Sequence, residues 1–354
     1  VDIGAKDIDG MVDFAQKNSV DFAVVAPDDP LVLGAVDRLE EAGIPCFGPK
    51  ANAAILEGSK VFSKQLMKKY GIPTAEYQVF SAADEALAFL EKAPYPAVIK
   101  ADGLALGKGV IIAQTAQEAK EAVISIMEDR IFGESGRQIV VEEFLTGPEV
   151  SVLAFTDGKT VKPMVSSMDH KRALDGDKGL NTGGMGTVAP NPYYTEEIAA
   201  ECMRTIFLPT IEAMNQEGRP FQGCLYFGLM LTPKGPKVIE YNCRFGDPET
   251  QVVLPLMESD LLTVMRACRE GTLAECEVKF SKKAAACVVM ASKGYPQKYE
   301  TGYEIHIAPA FSGQLFAAGA KRQGERLVTA GGRVLGVAAT GDTLQQAVEE
   351  ASRQ

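Results

Sequence analysis

A glycine-rich segment between two short apolar runs constrains the fold of this chain more than any other feature. The runs cover 98–100 and 110–113, and the segment at 103–109 reads Gly-Leu-Ala-Leu-Gly-Lys-Gly. A phosphate loop between a strand and a helix needs four residues between its glycines, but three lie between Gly103 and Gly107. A dinucleotide-binding glycine turn needs a helix after it, whereas Val-Ile-Ile at 110–112 favours a strand. The pattern therefore predicts a flap that joins the two strands of a hairpin.

Lysines lie beside and within this predicted flap. Glycines let backbone N–H groups approach oxyanions closely, and Lys100 and Lys108 add point charges suited to phosphate. Taken alone, the segment fits an ordinary glycine-rich hairpin with solvated lysines equally well. The choice between a phosphate-binding flap and an ordinary hairpin therefore depends on motifs elsewhere in the chain.

A second signal lies at 140–145, where an apolar run leads into a turn at Gly147-Pro148. The end of such a strand can offer a backbone C=O and N–H to the edge of a purine, and the carboxylate of Glu149 can bind ribose hydroxyls. A plain strand end is the alternative for this segment taken by itself.

The third signal is a polar pattern at 238–249. On a strand of period two, Glu240 and Asn242 point to the same face, and Arg244 shares it if the strand continues. A carboxylate and an amide oxygen are hard ligands suited to Mg²⁺ carried by a nucleotide, and an arginine can clamp a transferring phosphoryl group. The alternative is a polar strand face exposed to solvent.

Charge and rare residues exclude several classes of protein. The chain has 36 Lys+Arg and 47 Asp+Glu in 354 residues, and its net charge of −11 argues against a general binder of nucleic acid or anionic membranes. Seven scattered cysteines indicate reduced thiols of a cytoplasmic protein, and two histidines leave little room for histidine-based metal chemistry. No run of 18 apolar residues predicts a membrane helix.

Both ends of the chain show a distinct organisation. A strand at 22–26, a helix at 31–42 and a strand at 44–48 form a βαβ unit, which predicts a parallel sheet. Two parallel strands cannot cover their own faces, so we expect residues before Val1 that complete the sheet. A helix is predicted over 53–70, and the last eighty residues are mostly β.

Together the three signals resemble the ATP-grasp family, which has a strand–flap–strand phosphate loop, an adenine hinge and a Glu-x-Asn metal strand. Within it, the sequence is similar to the phosphoribosylamine–glycine ligases over essentially the whole chain. The motifs that carry this similarity are Leu56-Glu57-Gly58-Ser59-Lys60, Ile99-Lys100-Ala101-Asp102-Gly103-Leu104-Ala105, Asp169-His170-Lys171-Arg172, Asn181-Thr182-Gly183-Gly184-Met185-Gly186 and Asn242-Cys243-Arg244-Phe245-Gly246-Asp247-Pro248-Glu249.

The resemblance implies an ATP-dependent carbon–nitrogen ligase of de novo purine synthesis. Such an enzyme joins glycine to 5-phosphoribosylamine through a glycyl phosphate and uses Mg²⁺ or Mn²⁺. Its partners would be these small molecules, with no nucleic acid and no membrane, in a cytoplasmic monomer or weak oligomer.

Site residues follow from the same resemblance, motif by motif. The catalytic residues would be Arg244, Lys171 and Asp169, and the metal ligands Glu240 and Asn242. ATP would be bound by Lys64, Lys100, Gly107, Lys108, Gly109, Glu142, Glu143, Phe144, Leu145 and Glu149. The other substrates would be bound by Asp169, His170, Lys171, Arg172, Gly183, Gly184, Met185, Asp247, Pro248, Glu249 and Arg333.

Some of these roles can be stated more closely. The loop at 181–186 would cover the acyl phosphate from water, Asp247 and Glu249 would bind an amine, and Arg333 would hold the ribose 5-phosphate or lie on the surface. The strand at 224–231 has no carboxylate, where many ATP-grasp enzymes place another metal ligand.

The implied fold class is α/β and α+β multidomain, with an ATP-grasp fold between two smaller domains. We expect a truncated N-terminal parallel α/β domain and a small, mostly β C-terminal domain. The predicted boundaries are 1–55 for the N-terminal domain, 56–75 with 148–272 for the central ATP-grasp part, 76–147 for the lid with the flap, and 273–354 for the C-terminal domain.

Two other functions stay open at this point. One is a different ATP-grasp carboxylate–amine ligase or carboxylase, and the other is a nucleotide-binding module without catalysis. A retained set of polar groups such as Glu240, Asn242 and Arg244 argues against the second, because packing alone would not maintain groups that are costly to bury.

Overall fold

The computed structural model of this chain describes residues 1–105 and 109–354. Gly107 and Lys108, which the resemblance assigns to ATP binding, lie outside the described residues.

The first fifty residues form the predicted parallel βαβ unit. Its two strands pair in parallel, with Ala23 opposite Cys46. The prediction of a single helix over 31–42 is wrong. The helix is interrupted before Ala35 because Gly34, with a φ of +87°, adopts the left-handed conformation. The elements are α1 (Ile8–Lys17), β1 (Ala23–Val24), α2 (Asp28–Val32), α3 (Ala35–Glu41) and β2 (Cys46–Phe47).

The helix predicted over 53–70 is also two helices. Ser59 interrupts it with an extended backbone, and its side chain accepts a hydrogen bond from the Phe62 N–H, which caps the second helix. This second helix ends at Gly71, with φ +68°. The two helices are α4 (Ala51–Gly58) and α5 (Lys60–Tyr70).

A four-stranded antiparallel sheet, here called the flap sheet, follows. Its order is β3-β6-β4-β5, and Lys100 pairs with Val110, so the predicted hairpin around the flap is confirmed. Two helices cover one face. The elements are β3 (Tyr77–Phe80), α6 (Ala83–Leu90), β4 (Ala97–Ala101), β5 (Val110–Ala113), α7 (Ala116–Val123), which continues as a π turn over Ile124–Glu128, and β6 (Ile139–Glu143).

The central sheet is antiparallel, with the order β14-β13-β7-β8. Both its faces are buried, because alternate residues of one strand enter different cores: Val152 and Ala154 pack toward the N-terminal helices, whereas Leu153 and Phe155 pack toward the C-terminal part. The elements are β7 (Glu149–Asp157), β8 (Val161–Pro163), α8 (Glu196–Cys202), a π turn (Met203–Phe207), α9 (Leu208–Gln216), β13 (Gln222–Thr232), β14 (Gly235–Asn242), α10 (Thr250–Val253) and α11 (Leu261–Glu270).

The C-terminal sheet has five strands in the order β16-β19-β15-β12-β9, so it takes in the two short strands that flank the loop at 170–185. Helix α12 packs on one face through Ala347 and Ala351. The elements are β9 (Met168–Asp169), β12 (Gly186–Ala189), β15 (Ala284–Ala291), β16 (Gln314–Ala317), β19 (Arg333–Gly341) and α12 (Leu344–Arg353), with the separate hairpins β10 (Arg172–Leu174) to β11 (Lys178–Asn181) and β17 (Ala320–Gln323) to β18 (Arg326–Thr329).

Two further features bear on the class of protein. Within 1–105 and 109–354, no helix has the length and apolar character needed to cross a bilayer. All seven cysteines are described and carry free thiols, and Cys276 is more exposed than the other six, which are buried.

Candidate active site

A cleft of about 3000 Å³ lies between the flap sheet, the central sheet and the C-terminal sheet. Pockets for a single small molecule measure roughly 300–1,000 Å³, so this cleft has room for several substrates. Two predicted site residues, Gly184 and Pro248, are not among the residues that line it, and they lie close to each other. The predicted site residues that line it are Lys64, Lys100, Gly109, Glu142, Glu143, Phe144, Leu145, Glu149, Asp169, His170, Lys171, Arg172, Gly183, Met185, Glu240, Asn242, Arg244, Asp247, Glu249 and Arg333.

Three charged side chains form a buried cluster where the flap sheet meets helix α5. Lys64 Nζ lies 3.1 Å from Glu142 Oε2, and Lys100 Nζ lies 3.0 Å from Glu142 Oε1. Lys100 also donates to the carbonyl of Ile239 at 3.0 Å, which ties the flap sheet to strand β14. Burial lowers the pKa of Lys64 to about 8, although Glu142 opposes the shift.

Strand β14 brings Glu240 and Asn242 to the cleft, as their spacing predicts, and Arg244 follows just beyond the strand. Burial alone would raise the pKa of the Glu240 carboxyl, but surrounding cations outweigh it and the pKa is lowered. These cations, in order of effect, are Lys171, Lys100, Lys60 and Arg244. The site therefore keeps Glu240 ionised.

The donor chemistry at β14 fits a hard divalent cation. Glu240 offers carboxylate oxygens and Asn242 an amide oxygen, which are ligand types of Mg²⁺ and Mn²⁺. Among the described residues, no group of three or more His, Cys, Asp or Glu side chains forms a self-contained metal site. Two oxygen donors fit an ion that arrives with nucleotide phosphates and water.

The sequence interpretation missed Lys60 as a site residue. Because α5 starts at Lys60, this lysine lies at the cleft, and its Nζ donates to the carbonyl of Gly103 at 2.6 Å. Next to it, the carboxylate of Asp102 accepts hydrogen bonds from Ser59 Oγ at 3.0 Å and Val61 N at 3.1 Å. The sequence signal for this arrangement is Gly58-Ser59, a residue that ends helices followed by a residue that caps them.

Glu57, at the end of α4, is a second site residue that the sequence assignment missed. Its Oε2 accepts from the Cys243 N–H at 2.7 Å, and its Oε1 lies 3.3 Å from Arg244 Nη2. Burial raises the pKa of Glu57 to about 7, against the pull of Arg244 and of the Cys243 N–H. Glu57 thus fixes both the backbone after Asn242 and the guanidinium of Arg244.

A group of acidic and hydroxyl side chains lies beside β14, where Tyr226 pairs with Asn242 across the β13–β14 ladder. Glu249 is buried, and its Oε1 accepts from Tyr226 at 3.0 Å and from Ser151 at 3.3 Å. Asp169 Oδ1 is buried and has no hydrogen-bond partner among the described residues. Burial raises the pKa of Asp169 to about 8, and the charge of Glu249 adds to the shift. This oxygen is therefore open to a hydrogen bond with a ligand.

The remaining residues of the 169–172 motif lie at the rim. Lys171 Nζ is 3.3 Å from Glu149 Oε2, His170 is exposed, and Arg172 donates to the Gly179 carbonyl at 2.9 Å. Glu149, predicted to bind ribose hydroxyls, therefore already has a cationic partner.

The predicted adenine hinge lies at the end of β6. Glu143 accepts from Lys237 at 2.8 Å and from the Glu76 N–H at 3.1 Å, so its side chain is tied to neighbouring strands. The hydrogen bond from Lys237 lowers the pKa of Glu143. Phe144 and Leu145 follow at the cleft. The backbone of this strand end is thereby held in place.

Arg333, from β19, is engaged with protein groups. Its Nη1 donates to the Gly183 carbonyl at 2.7 Å, and its Nη2 to Asp247 Oδ2 at 3.0 Å. The Gly183 N–H donates to Tyr295 Oη at 2.9 Å. The C-terminal sheet thus fixes the loop at 181–186 against the Asp247 turn.

The flap hairpin, the β14 carboxylate and amide, and the lysines between them define an ATP-grasp protein. The family model described as phosphoribosylglycinamide synthetase, ATP-grasp (A) domain, matches residues 58–250, its N-domain counterpart matches 1–57 and its C-domain counterpart 285–354. The chain belongs to the phosphoribosylglycinamide synthetase family and is an ATP-grasp ligase. The domain boundaries predicted from the sequence stay predictions.

Individual relatives agree with this family. A phosphoribosylamine–glycine ligase of Caldanaerobacter subterraneus subsp. tengcongensis is 46% identical over all of this chain and 85% of that protein. The human trifunctional purine biosynthetic protein adenosine-3 is 47% identical over 99% of this chain and 35% of its own length. The crystal structure of the phosphoribosylamine–glycine ligase of Thermotoga maritima has a TM-score of 0.79 and is 38% identical, over 87% of this chain and 77% of that one.

Proposed function

We propose that this chain uses ATP to join glycine to 5-phosphoribosylamine, giving glycinamide ribonucleotide, ADP and phosphate in purine synthesis. The observation that carries the proposal is that residues from all five sequence motifs line one cleft in a chain that matches the family through its N, A and C domains. The free thiols are in keeping with a reaction in the reducing cytoplasm.

The first step is a phosphoryl transfer. An oxygen of the glycine carboxylate attacks the γ-phosphorus of ATP, the bond to the bridging oxygen breaks, ADP leaves, and glycyl phosphate forms. The chain supplies positioning and positive charge, with Lys60 and Lys100 at the phosphates and Arg244 at the transferring group. Glu57 keeps Arg244 pointed at that group.

Two further parts serve the nucleotide in this proposal. Glu240 and Asn242 would hold Mg²⁺ or Mn²⁺, which offsets negative charge on the phosphates when bound. The backbone of 143–145 would meet the adenine edge, and Glu149 the ribose, after it gives up its contact with Lys171.

The second step forms the amide. The nitrogen of 5-phosphoribosylamine attacks the glycyl carbonyl carbon and the C–N bond forms. The bond from that carbon to the phosphate oxygen breaks, and inorganic phosphate leaves and takes up the proton that the nitrogen loses. The buried, unpartnered Asp169 Oδ1 and the nearby Glu249 supply hydrogen-bonding groups for the amine. The loop at 181–186 keeps water from the acyl phosphate.

The test is ADP release by the purified chain with ATP, Mg²⁺, glycine and phosphoribosylamine. We expect ADP and glycinamide ribonucleotide in equal amounts, and no sustained release of ADP when either glycine or phosphoribosylamine is left out. ADP formation with a different acid–amine pair alone would establish another ATP-grasp ligase, and ATP binding with no turnover would establish a non-catalytic module.

A further inference from the structure

Lys64 is a fully buried lysine whose neighbours are protein groups. Its side chain is 2% exposed, and its ammonium donates to Thr74 Oγ1 at 2.7 Å and lies 3.1 Å from Glu142 Oε2. The Thr74 hydroxyl donates its one hydrogen to the Val238 carbonyl at 2.7 Å. Its oxygen can therefore only accept the hydrogen bond from Lys64. Thr74 therefore fixes the direction in which Lys64 points.

The Glu142 carboxylate forms ion pairs with two lysines, Lys64 and Lys100, which have different further partners. One carboxylate oxygen contacts Lys64 and the other contacts Lys100. Among the described residues, Lys100 also donates to the Ile239 carbonyl next to Glu240. The cluster holds two positive charges and one negative charge, and the surplus is positive. If Lys64 were absent, Glu142 and Lys100 would form a neutral pair, and the charge offered to an anion would be lost.

We propose that Lys64 is a positioning residue: together with Thr74 it holds Glu142 and offsets its negative charge, so that Lys100, which also contacts Glu142, keeps a positive charge for nucleotide phosphate that Lys64 does not touch. This differs from the direct phosphate contact that the sequence resemblance implies for Lys64, and it rests on the proposed role of Lys100 in ATP binding. The lowered pKa of Lys64 agrees with a cation that is shielded from water.

A double-mutant cycle on ADP affinity separates the two roles. We expect Lys64→Met to weaken the binding of ADP with Mg²⁺, measured by calorimetry, by roughly ten-fold, since one elementary charge is lost from a buried site. In a Glu142→Gln background the same change should cost less than two-fold, because no negative charge is left to neutralise. An equal loss in both backgrounds would mean that Lys64 contacts phosphate directly and would overturn the proposal.

Thr74→Val supplies a test that leaves all charges and the side-chain volume nearly intact. Removing one partner of a buried ion pair destabilises a fold, so this milder variant is needed if Lys64→Met does not fold. We expect a loss of ADP affinity of about three-fold, again absent in the Glu142→Gln background. Unchanged affinity in Thr74→Val would contradict the positioning role.

Lys68→Met is the matched control. Lys68 lies one turn further along α5, is exposed, and loses the same charge on substitution. The ADP affinity of Lys68→Met should stay within two-fold of the wild type. A loss equal to that of Lys64→Met would mean that removing any positive charge from α5 weakens ADP binding, and it would overturn the inference. If the wild-type chain bound no ADP at all, the proposed function itself would fail; wild-type binding with an additive cycle would overturn the inference alone.

Discussion

Arg333 holds Asp247 by two contacts, from Nη2 to Oδ2 at 3.0 Å and from Nη1 to the backbone carbonyl at 3.2 Å. The same guanidinium donates to the Gly183 carbonyl, so one side chain of the C-terminal sheet joins the turn after β14 to the loop at 181–186. This contact set links strand β19 of the C-terminal sheet to the catalytic end of the cleft.

The first prediction concerns this link. We expect Arg333→Met and Asp247→Asn each to lower kcat/KM for the amine substrate by about ten-fold, with an unchanged KM for ATP, because each loosens the same loop. The double variant should be no worse than the worse single variant. A large increase in KM for phosphoribosylamine in Arg333→Met alone would instead support the ribose-phosphate contact that the sequence suggested.

The second prediction concerns the β14 carboxylate. Glu240→Gln keeps the shape and removes the charge that four cations surround, so ADP formation should fall by roughly 10²–10³-fold or more. Glu212→Gln, on the exposed side of α9, is the control and should retain full activity. Wild-type turnover in Glu240→Gln would remove this residue from the phosphate chemistry.

The third prediction concerns Glu57. Glu57→Gln keeps an acceptor for the Cys243 N–H but loses the charge that fixes Arg244. We expect kcat to fall by about ten-fold while the KM for ATP changes little, since Arg244 is placed at the transferring group rather than at bound nucleotide. An increase in KM for ATP without a change in kcat would contradict this.

The fourth prediction concerns Gly184. With φ +113°, a Cβ here would lie 2.5 Å from Pro248 Cδ and 2.6 Å from Asp169 Oδ1, so Gly184→Ala should displace the loop and abolish most synthesis. Gly218→Ala is the matched control, because Gly218 also has a left-handed φ of +70° but no atom within 4 Å of the added methyl. It should cost only about 1 kcal/mol of stability and leave activity intact.

The fifth prediction concerns pH. The pKa of Asp169 is raised from 3.8 to about 8 in the folded chain, so between these values the folded state binds more protons than the unfolded state. Stability due to Asp169 is therefore present below pH 3.8 and is lost as pH rises toward 8. Asp169→Asn cannot ionise, so its free energy of unfolding relative to wild type should increase with pH across this window, by at most about 1.4 kcal/mol per unit. Urea unfolding at pH 5.5 and 8 measures this difference.

Sequence periodicity predicted the strands and the residues they carry. Glu240 and Asn242 reach the cleft because residues two apart share a strand face, and the hairpin around the flap follows from β-branched residues at 110–112. Helix breaks were missed at Gly34 and Ser59, because apolar spacing continues across both.

Contacts between distant parts of the chain could not be read from the sequence. Lys64, Lys100 and Glu142 are well separated along the chain, and only the packing of α5 against the flap sheet brings them together. Glu57 and Lys60 were within a recognised motif, but their role depends on the break at Ser59, which turns a continuous helix into two helix ends at the cleft.

The positions of the free cysteines make it possible to follow the unfolding of separate parts of the chain. Three buried thiols lie in the core on one side of the central sheet and three in the core on the other side, whereas the described core of the flap sheet has none. Burial raises the pKa of Cys46 to about 12 and of Cys202 to about 11, so neither reacts until its core is exposed. Alkylation rates at these six sulfurs therefore report the unfolding of each of the two cores separately. Motion of the flap sheet should leave these rates unchanged.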